Sequence, residues 1–144
     1  FHDKPYGVAG PDGTVYVSWT RFIYTADSSL SSADIVFAYM TPTMSAFSAP
    51  LIVSDTPFNQ GSVPVVGTNP DGSRFVAIAW LRYDAPMQIV VDRAPIAGDG
   101  SVGAFGADKM VAAINPIPDA FAGQSFRVNS FPTFAAYGNN LFAA

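Results

Sequence analysis

The sequence predicts an all-β protein, on the evidence of its composition and its patterning. Hydrophobic residues make up 49% of the 144 residues and charged residues only 12%, and the 11 acidic residues are all Asp, so that Glu is absent. A chain without Glu and poor in Lys and Leu has few of the residues that favour surface helices. Its apolar stretches are separated by turns of Pro, Gly and Asp, as in strands joined by hairpins.

Three segments of the chain share one pattern. Each begins with a proline and continues through a short apolar strand, a tight turn and a second apolar strand that leads towards a Trp; the segments are 5–19, 64–80 and 132–144. The third segment stops where its Trp is expected. Internal repetition of this kind indicates stacked structural units. We therefore predict two full repeats, 1–62 and 63–130, and the start of a truncated third, 131–144.

The elements of each repeat follow from local patterns. Residues 11–13 and 70–72 are both Pro-Asp-Gly, which is hairpin chemistry because Pro sets φ and Gly accepts a positive φ. In the next strand Val15, Val17 and Trp19 point one way, while Tyr16 and Ser18 point the other. Third strands are predicted at 34–39 and 87–92, fourth strands at 50–54 and 109–114, and a mobile hairpin tip at 25–32. Four antiparallel strands per repeat are typical of β-propeller blades, about two and a third of which are present.

Four segments of the chain, 3–6, 13–20, 59–67 and 126–132, resemble successive blades of the sialidase-like propellers, a six-bladed family of exo-sialidases and non-catalytic relatives with bacterial neuraminidase repeats. Blades of that family carry an Asp box, Ser-x-Asp-x-Gly-x-Thr-Trp/Phe, between strands three and four. The corresponding segments here, 40–47 and 97–105, are degenerate: they keep the aromatic residue as Phe47 and Phe105 and the aspartate only as Asp99.

In a propeller the loops that enter the first strands open on one face, where ligands bind. The entering segments 2–4, 58–62 and 126–130 carry the candidate substrate-binding residues Arg127, Asn129, Lys4 and Gln60. The family resemblance implies that Arg127 belongs to an arginine clamp for a substrate carboxylate, because a guanidinium binds a carboxylate with two hydrogen bonds. The alternative is that Arg127 pairs with an Asp or with a loop carbonyl.

The catalytic residues are not identified by the sequence, and Asp3 is a weak candidate for an acid/base group. The alternative is that Asp3 caps a turn or forms an ion pair. The resemblance implies a Tyr nucleophile assisted by Glu, and a chain without Glu cannot hold that pair by itself. His2 is expected to be a solvated terminal residue.

Aromatic side chains are numerous, and at alternating strand positions most are expected to form the core between blades, including Trp19 and Trp80, which recur in register. Phe58, Tyr24 and Tyr83 lie near loop ends and are the candidates for stacking on a sugar ring. The Asp-Gly turns lack the dense carboxylates of a calcium loop, so we interpret them as hairpin turns.

The composition of the chain excludes several classes of partner and cofactor. Without Cys and with one histidine, the chain offers no disulfide framework and no Cys/His metal site, and we predict no metal and no cofactor. A net charge of −4 with scattered cations predicts no nucleic-acid partner, and no apolar run approaches the ~18 residues of a membrane span. A glycan or glycoconjugate and the remaining blades of a parent chain are the predicted partners.

Two functions of different class remain open. The first is a scaffold or glycan-binding segment of a secreted sialidase-like propeller, without a complete catalytic set. The alternative is a segment of an active exo-sialidase, a glycoside hydrolase, in which Arg127 binds the substrate carboxylate. A β-sandwich lectin is a third, weaker possibility. The expected location is extracellular or periplasmic, as for a bacterial secreted protein. Blades that do not close a ring expose apolar faces, so we expect the isolated chain to self-associate or to be poorly soluble.

Overall fold

The computed structural model describes residues 1–115, 117, 122–125 and 129–144, and their regular structure is entirely β. The strands are β1 (His2–Ala9), β2 (Val15–Tyr24), β3 (Leu30–Met40), β4 (Leu51–Ile52), β5 (Asn59–Thr68), β6 (Arg74–Arg82), β7 (Gln88–Ile96), β8 (Lys109–Ala113), β9 (Phe134–Tyr137) and β10 (Asn140–Ala143). The all-β prediction is confirmed. Over the part of the chain that the structure describes, no helix is long and apolar enough to cross a membrane.

The described strands form three antiparallel sheets in chain order. Sheet 1 has the order β1-β2-β3-β4, sheet 2 has the order β5-β6-β7-β8, and β9 pairs with β10 in a two-stranded hairpin, here called the terminal hairpin. Units of four antiparallel strands are therefore confirmed. The predicted third strands are longer at one or both ends than expected, and the fourth strand of sheet 1 is shorter, with only Leu51 and Ile52 in the ladder.

Four turns among the described residues share one geometry, and the predicted turns at 11–13 and 70–72 are two of them. In residues 10–14, 25–29, 69–73 and 97–101, the first residue accepts a hydrogen bond from the fourth and donates one to the fifth. The middle Asp accepts the N–H of the fifth residue in each turn. The fourth residue has a positive φ, at Gly13 (83°), Gly72 (84°), Gly100 (86°) and Ser28 (67°). Asp and Gly at these positions are thus explained by turn geometry.

Sheets 1 and 2 repeat each other in register. Arg21 lies opposite His2 in sheet 1, and Arg82 lies opposite Asn59 in sheet 2. Both first strands are interrupted by a bulge that has a positive φ, at Lys4 (53°) and at Gly61 (70°). The first strands of the two sheets can therefore be aligned residue by residue.

This register corrects one detail of the sequence repeat. Pro64 lies opposite Ile78, and the counterpart of that pair in sheet 1 is Gly7 opposite Val17. Aligning the repeats on Pro5 and Pro64 therefore misplaces β1 by about two residues, because proline occupies a different position relative to the bulge in each first strand.

The main core lies between the two four-stranded sheets. Sheet 1 contributes Tyr16, Ile35, Phe37 and Val53, and sheet 2 contributes Val76, Ile78, Trp80, Val90, Ala94 and Ile96. On the other face of sheet 2, a second cluster joins Val65, Phe75 and Ala77 to Phe134, Ala136 and Leu141 of the terminal hairpin. The order of packing is therefore sheet 1, sheet 2, terminal hairpin.

The two tryptophans lie in register but in different environments. Trp19 pairs with Val36 and Trp80 with Val90, so the predicted equivalence holds. Trp80 is fully buried between the sheets, whereas Trp19 is half-buried on the outer face of sheet 1. The prediction that both belong to the core between sheets is wrong for Trp19. Within the described residues, no other sheet packs on its face, which also carries Val15 and Val17.

The two segments compared with Asp boxes also differ. Asp99 accepts the N–H and the hydroxyl of Ser101 within the turn, and Phe105 packs edge-on against Phe37 with the ring centroids 5.2 Å apart. Phe47 is instead 46% exposed. Only the segment of sheet 2 places its aromatic residue against the core.

Candidate functional site

The loops that enter the first strands of the repeats converge at one place. Lys4 lies at the bulge of β1, with its ammonium 5.9 Å from the centroid of the Phe22 ring and 5.7 Å from that of Phe131. The ring of Phe131 covers Gly61 at the bulge of β5, and a Cβ on Gly61 would overlap that ring. Residues of sheet 1, of sheet 2 and of the segment before the terminal hairpin therefore meet at this point, here called the mouth.

Asp3 is held by its neighbour at the mouth. Its carboxylate accepts the backbone N–H of Lys4 at 2.8 Å and forms an ion pair with the Lys4 ammonium. The ion pair is the arrangement that was the alternative to an acid/base role. The acid/base role stays a prediction.

A pocket of about 250 Å³ lies beside the mouth, between the ends of sheets 1 and 2. It is lined by Leu30, Ala33, Phe58, Gln60, Tyr83 and Asp84. Phe58 has a positive φ of 66°, and its carbonyl accepts the N–H of Tyr83 at 2.9 Å. This hydrogen bond ties together the two backbone segments that carry the aromatic rings of the pocket.

The pocket gathers several of the residues predicted from the sequence. Phe58, Tyr83 and Gln60 line it, and the Tyr83 hydroxyl donates a hydrogen bond to the Asn129 side chain at 3.2 Å. Tyr24 is not among its lining residues; it is 51% exposed and stacks on Phe22. Arg127 lies outside the described residues, so its role as a carboxylate clamp stays a prediction.

Asn59 holds the loop that carries the pocket and was not identified from the sequence. Its side chain is fully buried, accepts the indole N–H of Trp80 at 2.8 Å, and donates to the carbonyls of Ala33 and Thr56. One amide therefore fixes the entry to β5 against both sheets. The signal that could have found it is its position two residues before the bulge glycine, opposite Arg82.

His2 occupies the corresponding place in sheet 1. Its Nδ1 accepts the indole N–H of Trp19 at 2.7 Å. The imidazole is exposed, as predicted for a solvated terminal residue, and it also has a defined hydrogen-bond partner. The reason is the repeat register, which brings the first residue of β1 beside Trp19.

Next to the mouth, buried polar groups of β2 and β5 form hydrogen bonds with each other. The Ser62 and Ser18 hydroxyls lie 2.8 Å apart, and the N–H of Gly61 donates to Thr20 at 3.4 Å. The three hydroxyl residues are buried. These contacts satisfy polar groups at the bulge, where the strand ladder is interrupted.

A second group of polar side chains joins the edges of the two sheets. Asp55 and Asp108 each accept the backbone N–H of the other, at 2.9 and 3.2 Å, and Arg82 lies 3.9 Å from Asp108. Burial raises the pKa of Asp108 to about 6, even though the Asp55 N–H favours its charged form. Burial also raises the pKa of Asp92. In the described part of the chain, no group of three or more acidic or histidine side chains could hold a metal ion.

Asp12 shows the opposite effect. The Arg74 guanidinium lies 2.7 Å from its carboxylate and holds its pKa at about 2. Because Asp12 belongs to the first turn of sheet 1 and Arg74 begins β6, this ion pair joins the two sheets at the end of the strands opposite to the mouth.

Comparison of the chain with protein-family models, with curated proteins and with solved structures finds no match in any of the three. The groups that line the pocket indicate its chemistry. Two aromatic rings, an amide and a carboxylate around one shallow pocket can stack on the apolar face of a ring and exchange hydrogen bonds with hydroxyl groups.

Proposed function

We propose that the chain forms blades of a β-propeller that serves as a scaffold and binds a saccharide in the pocket beside the mouth. The observation that carries the saccharide site is the pocket itself, in which Phe58 and Tyr83 lie with Gln60 and Asp84. Aromatic, amide and carboxylate groups in one concave site are suited to binding a sugar ring. The aromatic rings stack on the apolar face of the sugar, and the amide and the carboxylate form hydrogen bonds with the hydroxyl groups around its edge.

The order of the sheets supports the propeller. Two four-stranded antiparallel sheets and a hairpin follow each other in chain order, each packed on the next. The first strands lie side by side, since β1 contacts β5 and β5 contacts β9. Successive blades of a propeller are arranged in this way around a central axis. The loops entering those strands would then open together on one face, as they do at the mouth.

The size and charge of the pocket suggest what it binds. A volume of about 250 Å³ is below the range of roughly 300–1,000 Å³ for sites that enclose drug-sized ligands, which favours a single sugar unit at the end of a glycan. Among the described lining residues the one charged group is the Asp84 carboxylate. A carboxylate accepts hydrogen bonds from hydroxyl groups and repels a second carboxylate. We therefore propose a neutral sugar instead of a sialic acid.

A glycan array followed by titration calorimetry tests this function. Phe58→Ala and Gln60→Ala each remove a lining group, and we expect each to weaken binding about tenfold, as loss of one stacking or hydrogen-bonding contact does. Tyr24→Ala is the matched control, because Tyr24 is an exposed aromatic residue outside the pocket, and it should leave affinity unchanged.

Two results would contradict the proposal. If no saccharide binds, or if the pocket variants bind as tightly as the unmodified chain, the pocket is not the site. Release of the fluorophore from a fluorogenic sialoside, lost in Arg127→Ala, would instead support the alternative of an exo-sialidase segment.

A further inference from the structure

The two sides of the pocket beside the mouth differ in chemistry. Leu30 and Ala33 of β3 line it from sheet 1 and supply only aliphatic groups, here called the aliphatic wall. The aromatic and polar side chains among the described lining residues all come from sheet 2 or from segments next to its strands: Phe58, Gln60, Tyr83 and Asp84. A ligand in the pocket would therefore meet hydrogen-bonding groups on one side only.

The aliphatic wall is held in a fixed position. The Asn59 side chain donates to the Ala33 carbonyl at 3.3 Å, which ties β3 to the first residue of β5. Leu30 directly follows the hydrogen-bonded turn of residues 25–29. Ala33 is 1% exposed and Leu30 is 40% exposed, so Leu30 is the part of the wall that a ligand can reach.

The facing wall is held in position by the backbone. Phe58 has a φ of 66°, which is a strained conformation for a bulky residue. Such strain persists only where the surrounding structure imposes it, commonly at binding sites. Here the Phe58 carbonyl accepts the N–H of Tyr83 at 2.9 Å, which keeps the two aromatic residues of the pocket side by side.

A plain hexose does not match both walls. It has one apolar face, which the aromatic rings can cover, and hydroxyl groups around its edge that an amide and a carboxylate can bind. Hydroxyl groups turned towards the aliphatic wall would lose hydrogen bonds to water and gain no partner from its side chains, which is unfavourable. A methyl group in that place would instead bury apolar surface.

We propose that the pocket selects a neutral sugar that carries a methyl group, and that Leu30 contacts this methyl group and determines the specificity. An acetamido substituent and a 6-deoxy carbon both supply such a methyl group. Neither adds a negative charge that the Asp84 carboxylate would repel. The inference rests on the proposed saccharide site, and it adds which part of the sugar faces sheet 1.

Titration calorimetry on the whole chain with matched sugars tests this inference. The pairs are N-acetylglucosamine with glucose and 6-deoxygalactose with galactose, in which only the first member carries the methyl group. Burial of one methyl group predicts that, in at least one pair, the methyl-bearing sugar binds about fourfold more tightly than its parent. The pair that shows this preference identifies its source as the acetamido group or the deoxy carbon.

Variants of Leu30 assign the preference to the aliphatic wall. Leu30→Ser should abolish the difference in affinity within the pair, whereas Leu30→Met, which keeps an apolar side chain, should retain it. Leu51→Ser is the matched control and should also retain it, since Leu51 is 37% exposed in β4 and does not line the pocket. Circular dichroism melts establish that each variant is folded.

Three results would overturn the inference while leaving the saccharide site in place. They are equal affinities within both pairs, a preference that Leu30→Ser leaves unchanged, and a glycan-array ligand whose terminal sugar has no methyl group. Absence of any bound saccharide, on the array and in calorimetry, would instead overturn the proposed function and this inference with it.

Discussion

Trp80 donates its indole N–H to the side-chain carbonyl of Asn59 across 2.8 Å, and both residues are fully buried between the sheets. The bond joins β6 to the first residue of β5, directly beside the pocket. The same amide donates to carbonyls of Ala33 and Thr56, which belong to sheet 1 and to the connection before β5. The position of the pocket therefore depends on one buried amide.

Asn59→Ala should destabilise the chain by about 2 to 3 kcal/mol, because it leaves a buried indole N–H and two carbonyls without partners. Urea unfolding followed by tryptophan fluorescence measures the change. His2→Ala removes the corresponding bond to the half-buried Trp19 and, where water can replace the imidazole, should cost less than about 1 kcal/mol. Equal losses for the two variants would contradict the different burial of the two tryptophans.

Val76→Ala and Val15→Ala delete the same groups at equivalent register positions. Val76 is fully buried, so its truncation should cost about 2 to 3 kcal/mol of unfolding free energy. Val15 is half-buried on the outer face and should lose about 1 kcal/mol or less. Both are measured by urea unfolding at low protein concentration, where association between copies does not contribute. A larger loss at Val15 would show that its face is covered within one copy.

Gly61→Ala tests how the mouth is packed. Gly61 has a φ of 70°, and a Cβ there would overlap the ring of Phe131. Gly72→Ala is the matched control, because Gly72 has a similar φ of 84° and nothing within 4 Å of the added Cβ. Gly72→Ala should lose about 1 kcal/mol from the backbone conformation alone.

Gly61→Ala should lose a further 1 to 3 kcal/mol or so from the overlap, measured in the same thermal and urea melts. Adding Phe131→Ala to Gly61→Ala should recover part of that extra loss, because it removes the ring that the Cβ meets. Identical melts for the two glycine variants would mean that Phe131 does not lie on Gly61.

Stability should fall as pH rises from about 4 to 6 because of Asp108. Its pKa is about 6 in the folded chain against the usual 3.8, so between these values the folded state binds more protons than the unfolded state. The loss approaches its full value of about 3 kcal/mol above pH 6, since each unit of pKa difference is worth about 1.4 kcal/mol. Urea unfolding at a series of pH values measures it, and Asp108→Asn should remove most of the slope, leaving the part that comes from Asp92, whose pKa is also raised by burial. Asp27→Asn, at an exposed turn, should keep it.

At lower pH the ion pair of Asp12 and Arg74 should give the opposite slope. The pKa of Asp12 is lowered to about 2, so its contribution is present above pH 3.8 and is lost as pH falls through 2. Arg74→Ala should reduce this acid-side loss without changing the slope between pH 4 and 6, because hydrogen bonds within the turns also lower the pKa of Asp12, Asp27, Asp71 and Asp99. Retention of the full acid-side slope in that variant would assign it to other carboxylates.

Features that depend on neighbours in sequence could be predicted. Alternation through residues 15–19 indicates a strand with two faces, and Asp-Gly at residues 12–13 and 71–72 indicates tight turns, because both depend on backbone geometry within a few residues. The convergence of the entering segments 2–4 and 58–62 could also be predicted, since the entering loops of repeated sheets lie at one end, whereas the place of Tyr83 beside Phe58 and Gln60 could not.

Local patterns in the sequence were enough to predict most strands, their turns and the repeat that brings Trp19 and Trp80 into register. They did not determine that Trp80 is buried and Trp19 half-buried, that Phe131 covers Gly61, or that Asp108 is buried against Asp55 and Arg82. The physical reason is that alternation decides which face a side chain occupies, while burial and pKa depend on what packs against that face. Those contacts join residues far apart in the chain, and only the tertiary structure decided them.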